Sequence, residues 1–168
     1  MHRYQILIEY VGTNFIGWQI QTKGQSVQKL IQIKISKLLK ENVGMAVQGL
    51  GVVSPIFAAY DKSQGKASIH FYDMLGADFQ IRTHTATGSG SQIIRGILEH
   101  EDLWGQNPLA EITREQAMTL AVRLLQTASQ FDSATGPSRP EDDIFPTLAI
   151  LTEAGSRFAG AADCLLTP

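Results

Sequence analysis

The sequence predicts an α+β protein in which strands and helices are segregated along the chain. Hydrophobic periodicity gives a strand and a helix, then several strands, then two helices, and finally strands again. The chain has 168 residues, of which 43% are apolar and 18% charged. This length and composition are typical of one globular domain with a sizeable core and exclude a disordered chain.

The first predicted elements are a strand over residues 4–10 and a helix from Ser26 to about Asn42. The strand alternates between two faces, and a second extended piece is expected over 15–21. Ser26 has the residue type and position of an N-cap. The helix shows lysines on its expected water-facing side and an apolar stripe on the other side, formed by Val27, Leu30, Ile31, Ile35, Leu38 and Leu39.

Three strands are predicted in the middle of the chain, after residues 45–50, which we expect to extend the helix. Pro55 lies inside the first strand, which should therefore bend or lie at a sheet edge there. The strands and the turns between them have the predicted bounds 52–60, 61–66, 67–73, 75–77 and 79–87.

Two helices and a final strand complete the predicted order. A Gly-Ser-Gly-Ser turn at 88–91 should open the first helix, and its expected buried residues are Ile93, Ile94, Ile97 and Leu98. Thr113 and Gln116 have the spacing of a capping box. The second helix should end within 132–136, and a strand over 144–152 and a short strand after Gly155 are expected to follow.

Charge divides the chain into two parts. Residues 1–44 hold six basic and two acidic residues, whereas residues 45–168 hold eight and fourteen. Chance variation over a short window and two segments of different origin both explain this difference. The net charge of -2 gives no reason to expect a nucleic-acid partner from bulk charge.

Composition also indicates the cellular compartment and which ligands are expected. Cys164 is the single cysteine, which excludes a disulfide within the chain and fits a reducing compartment. No apolar run approaches the roughly 20 residues that span a bilayer, so we expect a cytoplasmic protein without a membrane partner. The histidines and Cys164 lack the spacing of metal ligands, and we expect neither a metal site nor a cofactor.

Two short motifs combine residues that can do chemistry. In the first, Gly88 and Gly90 flank Ser89, and exposed N–H groups at a helix start can hold an anion or an oxyanion. In the second, the carboxylate of Asp132 and the hydroxyl of Thr135 can orient an amine or a proton relay. Taken singly, each motif also fits a simpler role, as a serine-capped turn and as a helix stop.

Taken together, these motifs occur in the order found in bacterial proteasome β subunits, whose C-terminal half the chain resembles over about residues 41–168. The segments that show the resemblance are 44–50 (GMAVQGL), 57–61 (FAAYD), 87–91 (TGSGS), 132–136 (DSATG) and 144–147 (IFPT). The resemblance implies an N-terminal-nucleophile hydrolase fold, a layered αββα core that is incomplete in this chain. It also implies proteasome-like subunits as partners and a threonine-type endopeptidase family.

The same resemblance implies roles for the two motifs. Ser89, Asp132 and Thr135 would support the active centre, and Gly88 and Gly90 would form the turn beside an oxyanion site. These roles are expectations from the family and not conclusions from spacing alone.

The residues that would start the chemistry are not found where the resemblance requires them. An N-terminal threonine acts as nucleophile in this family, with its own α-amine as base and an Asp and a Lys beside it. This sequence begins with Met1, and no Asp precedes Asp61. Thr13 follows Gly12, as a released threonine would, but the stretch behind it is not the expected strand. We therefore expect a β-like subunit that is not a peptidase.

The first segment has a resemblance of its own. Residues 4–19 (YQILIEYVGTNFIGWQ), followed by SVQ at 26–28, are similar to the start of a tRNA pseudouridine synthase of the TruA kind, over about residues 3–40. This implies a ferredoxin-like RNA-binding element and a tRNA partner. Val11 stands where that family usually has Asp, and the run that holds its catalytic aspartate does not follow the helix.

We therefore predict a chimera of two segments, 1–42 and 43–168, which meet in a helical stretch whose apolar stripe continues to Met45 and Val47. Three functions remain open: an inactive proteasome β-like subunit, a tRNA-binding remnant, and a folded recombinant without biochemical function. If the N-terminal strand leaves a sheet edge open, self-association is expected.

Overall fold

The computed structural model describes residues 15–17, 23–62, 64–137, 139 and 144–159. The predicted strand over 4–10, Thr13 and Cys164 lie outside these described residues. No strand is present at 15–17, the described part of the second extended piece that the sequence predicts.

The described residues form four helices and five strands. In chain order these are α1 (Val27–Glu41), α2 (Val43–Val47), β1 (Ile56–Asp61), β2 (Lys66–Tyr72), β3 (Asp78–Ile81), α3 (Ser91–Trp104), α4 (Arg114–Phe131), β4 (Leu148–Thr152) and β5 (Gly155–Ala159). Strands β1, β2 and β3 form one antiparallel sheet in that order, and β4 and β5 form a separate antiparallel hairpin. This order confirms the predicted α+β class.

The predicted helix starts are confirmed by their caps. The buried Ser26 hydroxyl accepts a hydrogen bond from the Lys29 amide at 3.2 Å and opens α1. At the start of α4, Thr113 Oγ1 accepts from the Gln116 amide at 3.2 Å, and Gln116 Oε1 accepts from the Thr113 amide at 2.8 Å. Each bond satisfies a backbone N–H group that has no partner within its helix.

The predicted continuation of α1 through residues 45–50 is wrong. Asn42 ends α1, and its carbonyl accepts from the amides of Met45 and Ala46, so that α2 starts as a separate short helix. Because the chain turns at Asn42, Met45 and Val47 are 53% and 73% exposed and do not prolong a buried stripe.

The apolar stripe of α1 is also partly wrong. Leu38 is 68% exposed, whereas Gln28 and Gln32 are buried together with Val27 and Leu39. The face of α1 that packs on the sheet therefore includes the polar side chains of Gln28 and Gln32, and the sheet supplies His70 as the hydrogen-bond partner of Gln32.

The three longest predicted strands, 52–60, 79–87 and 144–152, are shorter in the structure. Strand β1 begins only after Pro55, which has no N–H group for the ladder, although its carbonyl accepts from the Tyr72 amide at 3.0 Å. Strand β3 ends at Ile81, which pairs with Ile69, and the chain leaves the sheet there instead of continuing to residue 87. Strand β4 starts at Leu148 and not at Ile144, whose bridge is with Arg139.

The β1–β2–β3 sheet has helices on both faces. Alternation along β2 places His70 and Tyr72 toward α1 and Phe71 on the opposite face, where the Arg95 guanidinium of α3 lies 4.9 Å from its ring centroid. The turn between β2 and β3 approaches α1 at Gly76, which has a φ of +81°. A Cβ there would lie 2.5 Å from the Ser36 carbonyl oxygen, so this contact requires glycine.

Two further contacts between elements position the segments that form the candidate site. Helices α3 and α4 pack against each other, and β4 contacts β1. Among the described residues, no helix is long and apolar enough to cross a membrane.

Candidate functional site

The segment between β3 and α3 makes the tight turn that the sequence predicts. Gly88 has a φ of +104°, a conformation that L side chains rarely adopt, and the Ser91 amide donates to its carbonyl at 3.1 Å. Gly90 is the N-cap of α3 and no side chain bonds the first turn there. The alternative of a serine-capped turn is therefore wrong, because the Ser89 side chain is directed elsewhere.

The Ser89 hydroxyl donates to Asp132, 43 residues further along the chain. The distance from Ser89 Oγ to Asp132 Oδ2 is 2.6 Å. Thr135 Oγ1 donates to the same carboxylate oxygen at 2.5 Å, and the Ala134 amide donates to Oδ1 at 3.2 Å. The structure thus brings together the three side chains that the sequence analysis selected; their catalytic support role stays a prediction.

Asp132 is held at this point by the end of α4. Its amide donates to the Ala128 carbonyl at 2.8 Å, and the next residues curl back so that the Thr135 amide reaches the Asp132 carbonyl at 3.1 Å. This tight local turn presents the Asp132 carboxylate toward the start of α3. The helix stop and the candidate site are therefore one structure, and the two roles considered for this motif do not exclude each other.

Gly90 permits the close contact between the two motifs. A Cβ at this buried position would lie 2.9 Å from Thr135 Oγ1 and 3.1 Å from the Ala128 Cβ. Both distances are shorter than ordinary contacts, so a larger residue would separate α3 from the Asp132 turn. Gly88 contributes differently, through its backbone conformation, and nothing lies within 4 Å of its Cβ position.

The hydrogen bond from Ser89, followed by that from Thr135, holds the pKa of Asp132 below its usual range. The carboxylate is therefore charged at neutral pH and is a poor base toward the serine. Such a carboxylate with two hydroxyls can orient a protonated amine or a water molecule.

A second polar cluster, which the sequence analysis missed, lies between α1 and the sheet. Gln32 Nε2 donates to His70 Nε2 at 2.9 Å, and His70 Nδ1 donates to Asp78 Oδ1 at 2.9 Å. Tyr72, which is fully buried, donates to Asp78 Oδ2 at 3.2 Å. Burial, followed by the charge of Asp78, raises the pKa of Tyr72 above its usual range.

Only the strand register could have revealed this second cluster. Tyr72 pairs with Asp78, and His70 lies two residues before Tyr72 on the same face of β2. The cluster borders an open cavity of about 730 Å³ between α1 and β3, and Lys29, Lys40 and Asp78 are among the residues that line it. Within the described part of the chain, no three acidic, histidine or cysteine side chains are grouped closely enough to hold a metal ion.

Comparison with known proteins finds similarity to two kinds of protein. A family described as "Proteasome subunit" matches residues 4–138. The proteasome subunit beta of Streptomyces griseus is 39% identical over 127 residues, which cover 74% of this chain and 42% of the relative. That of Frankia casuarinae is 34% identical over 124 residues, covering 74% and 43%. The tRNA pseudouridine synthase A of Pelagibacter ubique is 65% identical over 49 residues, covering 29% and 20%.

These similarities confirm the two resemblances and support a chimera. The chain spans about two fifths of the length of the proteasome relatives that it matches. Its mixed helix and strand content is consistent with an incomplete core of the N-terminal-nucleophile hydrolase type. The family match covers well over half of the 168 residues, and the chain therefore belongs to the proteasome subunit family.

Proposed function

We propose that this chain is a cytoplasmic proteasome β-type subunit that assembles with like subunits and has no threonine peptidase activity of its own. One observation supports this most directly: a 49-residue similarity to a tRNA pseudouridine synthase, which we assign to the segment in front of the proteasome-like half. In our proposal this segment replaces the part of the fold that would hold the nucleophile and its Asp partner, although the family match also begins there, at residue 4. No Asp precedes Asp61 in the sequence, which supports the proposal.

The geometry of the candidate site agrees with this proposal. Ser89 and Thr135 both direct their hydroxyl protons to Asp132 Oδ2. An ionised carboxylate of low pKa cannot take the serine proton efficiently, so Ser89 is not activated for attack. The cluster can support a nucleophile but does not contain one.

A peptidase assay on the purified 168-residue chain tests the proposal. Fluorogenic peptides with apolar, basic and acidic residues before the scissile bond are offered with and without a β-lactone inactivator. We expect no inhibitor-sensitive turnover, and an intact mass without cleavage between Gly12 and Thr13. Inhibitor-sensitive turnover that disappears in Thr13→Ala, together with a new N-terminus at Thr13, would overturn it.

Assembly is tested separately by size measurement. Light scattering coupled to size exclusion should show a particle of several subunits over a range of protein concentrations. A monomer at all concentrations would contradict assembly with like subunits and leave the peptidase result standing by itself.

The pseudouridine synthase similarity favours one other function, a tRNA-binding remnant. The lysines of α1 would supply phosphate contacts, and such binding weakens steeply as salt rises. A gel shift with total tRNA at low and at moderate salt separates the two functions. Salt-sensitive binding at micromolar protein would support the remnant, and no shift at low salt would exclude it.

A further inference from the structure

The position of Ser89 is set by contacts on both sides of it in the chain. Thr87 Oγ1 donates to the Ser54 carbonyl at 2.8 Å, which ties the segment to the residues in front of β1. Behind it, Gly90 fits between Thr135 and Ala128. Ser89 itself is exposed, so these backbone anchors and the bond to Asp132 define where its hydroxyl lies.

Arg95 supplies a third anchor from α3. Its Nε and Nη2 both donate to the carbonyl oxygen of Ala86, at 2.8 Å and 2.5 Å. The same guanidinium lies 4.9 Å from the ring centroid of Phe71 on β2. Ala86 is 8% exposed, so the carbonyl partner sits on buried backbone. One side chain therefore joins the sheet, the loop and the helix that the loop precedes.

We propose that Arg95 is a positioning residue for Ser89: its guanidinium fixes the Ala86 carbonyl against β2 and so keeps the Ser89 hydroxyl on Asp132. Ala86 is three residues before Ser89, and Gly88, with its positive φ, lies between them. Release of the Ala86 carbonyl would remove one of two anchors in front of this turn, the other being the Thr87 bond to the Ser54 carbonyl. The Ser89 hydroxyl would then no longer be held at hydrogen-bond distance from Asp132 Oδ2.

The chemistry of the contact requires arginine. A guanidinium is planar, so it can direct two N–H groups at one carbonyl while its face lies on an aromatic ring. The ammonium group of lysine provides the same charge without the fork or the flat surface. Arg95→Lys therefore removes the positioning while it keeps the charge and most of the aliphatic stem.

The Asp132 carboxyl is the readout, because its pKa depends first on the Ser89 hydrogen bond. In the full chain, carboxyl ¹³C chemical shifts are followed against pH in Arg95→Lys and Arg95→Met. We expect Asp132 to titrate at higher pH in both variants than in the parent chain. The rise in its pKa should not exceed the rise seen in Ser89→Ala. Phe71→Leu removes the contact of the ring with the Arg95 guanidinium, and with it the ring contact to Phe79, and should give a smaller rise.

Two controls separate positioning from a general loss of structure. Arg114→Met removes an exposed arginine that pairs with Glu115, and should leave the Asp132 titration unchanged. In a Ser89→Ala background, Arg95→Met should produce no further rise, because both changes act through one hydrogen bond.

An unchanged Asp132 titration in folded Arg95→Lys would overturn the inference, and so would a full additional rise in the Ser89→Ala background. If both arginine variants fail to fold, Phe71→Leu decides: a rise supports the positioning role and an unchanged titration overturns it. The inference rests on the proposed support site and not on its lack of peptidase activity, so the peptidase assay and this titration can fail independently.

Discussion

At the scale of single residues, Gly90 is the point where the start of α3 meets the end of α4. Its φ of -79° is negative, so the backbone conformation there does not itself require glycine. The requirement for glycine comes from packing, since a Cβ would lie 2.9 Å from Thr135 Oγ1. One hydrogen atom in place of a methyl group thus sets how closely Asp132 approaches the Ser89 turn.

Gly90→Ala should therefore be destabilising and should also displace Thr135 from Asp132. Overpacking at a close contact costs about 1–3 kcal/mol, measurable as a lower urea midpoint at constant slope. Gly96→Ala is the matched control, because nothing lies within 4 Å of its Cβ position on α3. That change should stabilise the chain by roughly 0.5–1 kcal/mol, and equal midpoints in the two variants would contradict the packing argument.

The site residues could be predicted only because two motifs were considered together. Ser89 and Asp132 are separated by 43 residues, and periodicity contains no information on which loops of a fold meet. The family resemblance supplied their order, and the structure shows the contact. Local chemistry alone favoured a serine cap, which is wrong because Ser89 bonds a carboxylate and not the first turn of α3.

At the scale of elements, α1 shows where local rules succeed and where they end. Its start at Ser26 follows from the cap, which is a contact between residues three positions apart. Its buried face does not follow from the apolar pattern, because Gln32 is buried against His70, 38 residues away. A buried polar side chain is tolerated only where such a partner exists, and the partner is fixed by tertiary structure.

Gln32→Leu tests this contact at the level of the helix. The change leaves His70 Nε2 without its donor in a buried position, which costs about 1–3 kcal/mol even though leucine is the more apolar residue. Denaturant unfolding at neutral pH measures the loss. Lys34→Leu, at an exposed position of the same helix, should change stability by less than about 0.5 kcal/mol. A stabilised Gln32→Leu chain would show that the polar contact contributes nothing.

Tyr72, which lies on β2 beside Asp78 of β3, makes the free energy of unfolding depend on pH in the alkaline range. Burial and the neighbouring Asp78 raise the pKa of Tyr72 in the folded chain above its ordinary value of 10.0. The folded state therefore retains a proton that the unfolded state loses, and this contribution to stability is complete below pH 10.0 and declines above it. Unfolding midpoints between pH 8 and about 11 should fall more steeply for the parent chain than for Tyr72→Phe. Parallel curves would contradict the assignment.

At the scale of the whole molecule, the two predicted segments share one core. Helix α1 lies in the segment 1–42, yet Gln32 bonds β2 and the Ser36 backbone contacts the turn at Gly76. The sequence could predict the order of the strands and of α3 and α4, because each has its own periodicity or turn signals, but it did not predict α2 as a separate helix. It could not predict the lengths of β1 and β3, because strand ends depend on pairing with residues elsewhere in the chain.

This packing predicts that α1 and β2 open together. Native-state hydrogen exchange measures the free energy of opening at each amide, and elements of one cooperative unit exchange at a common value. We expect α1 and β2 to share that value and Gln32→Leu to lower both equally. The β4–β5 hairpin, whose side chains are largely exposed, should open at a lower free energy and serves as the internal reference. If α1 instead exchanged at a lower free energy than β2, with Gln32→Leu affecting α1 alone, residues 27–41 would be an appendage to the proteasome-like core, and the buried contact to His70 would not couple the two segments.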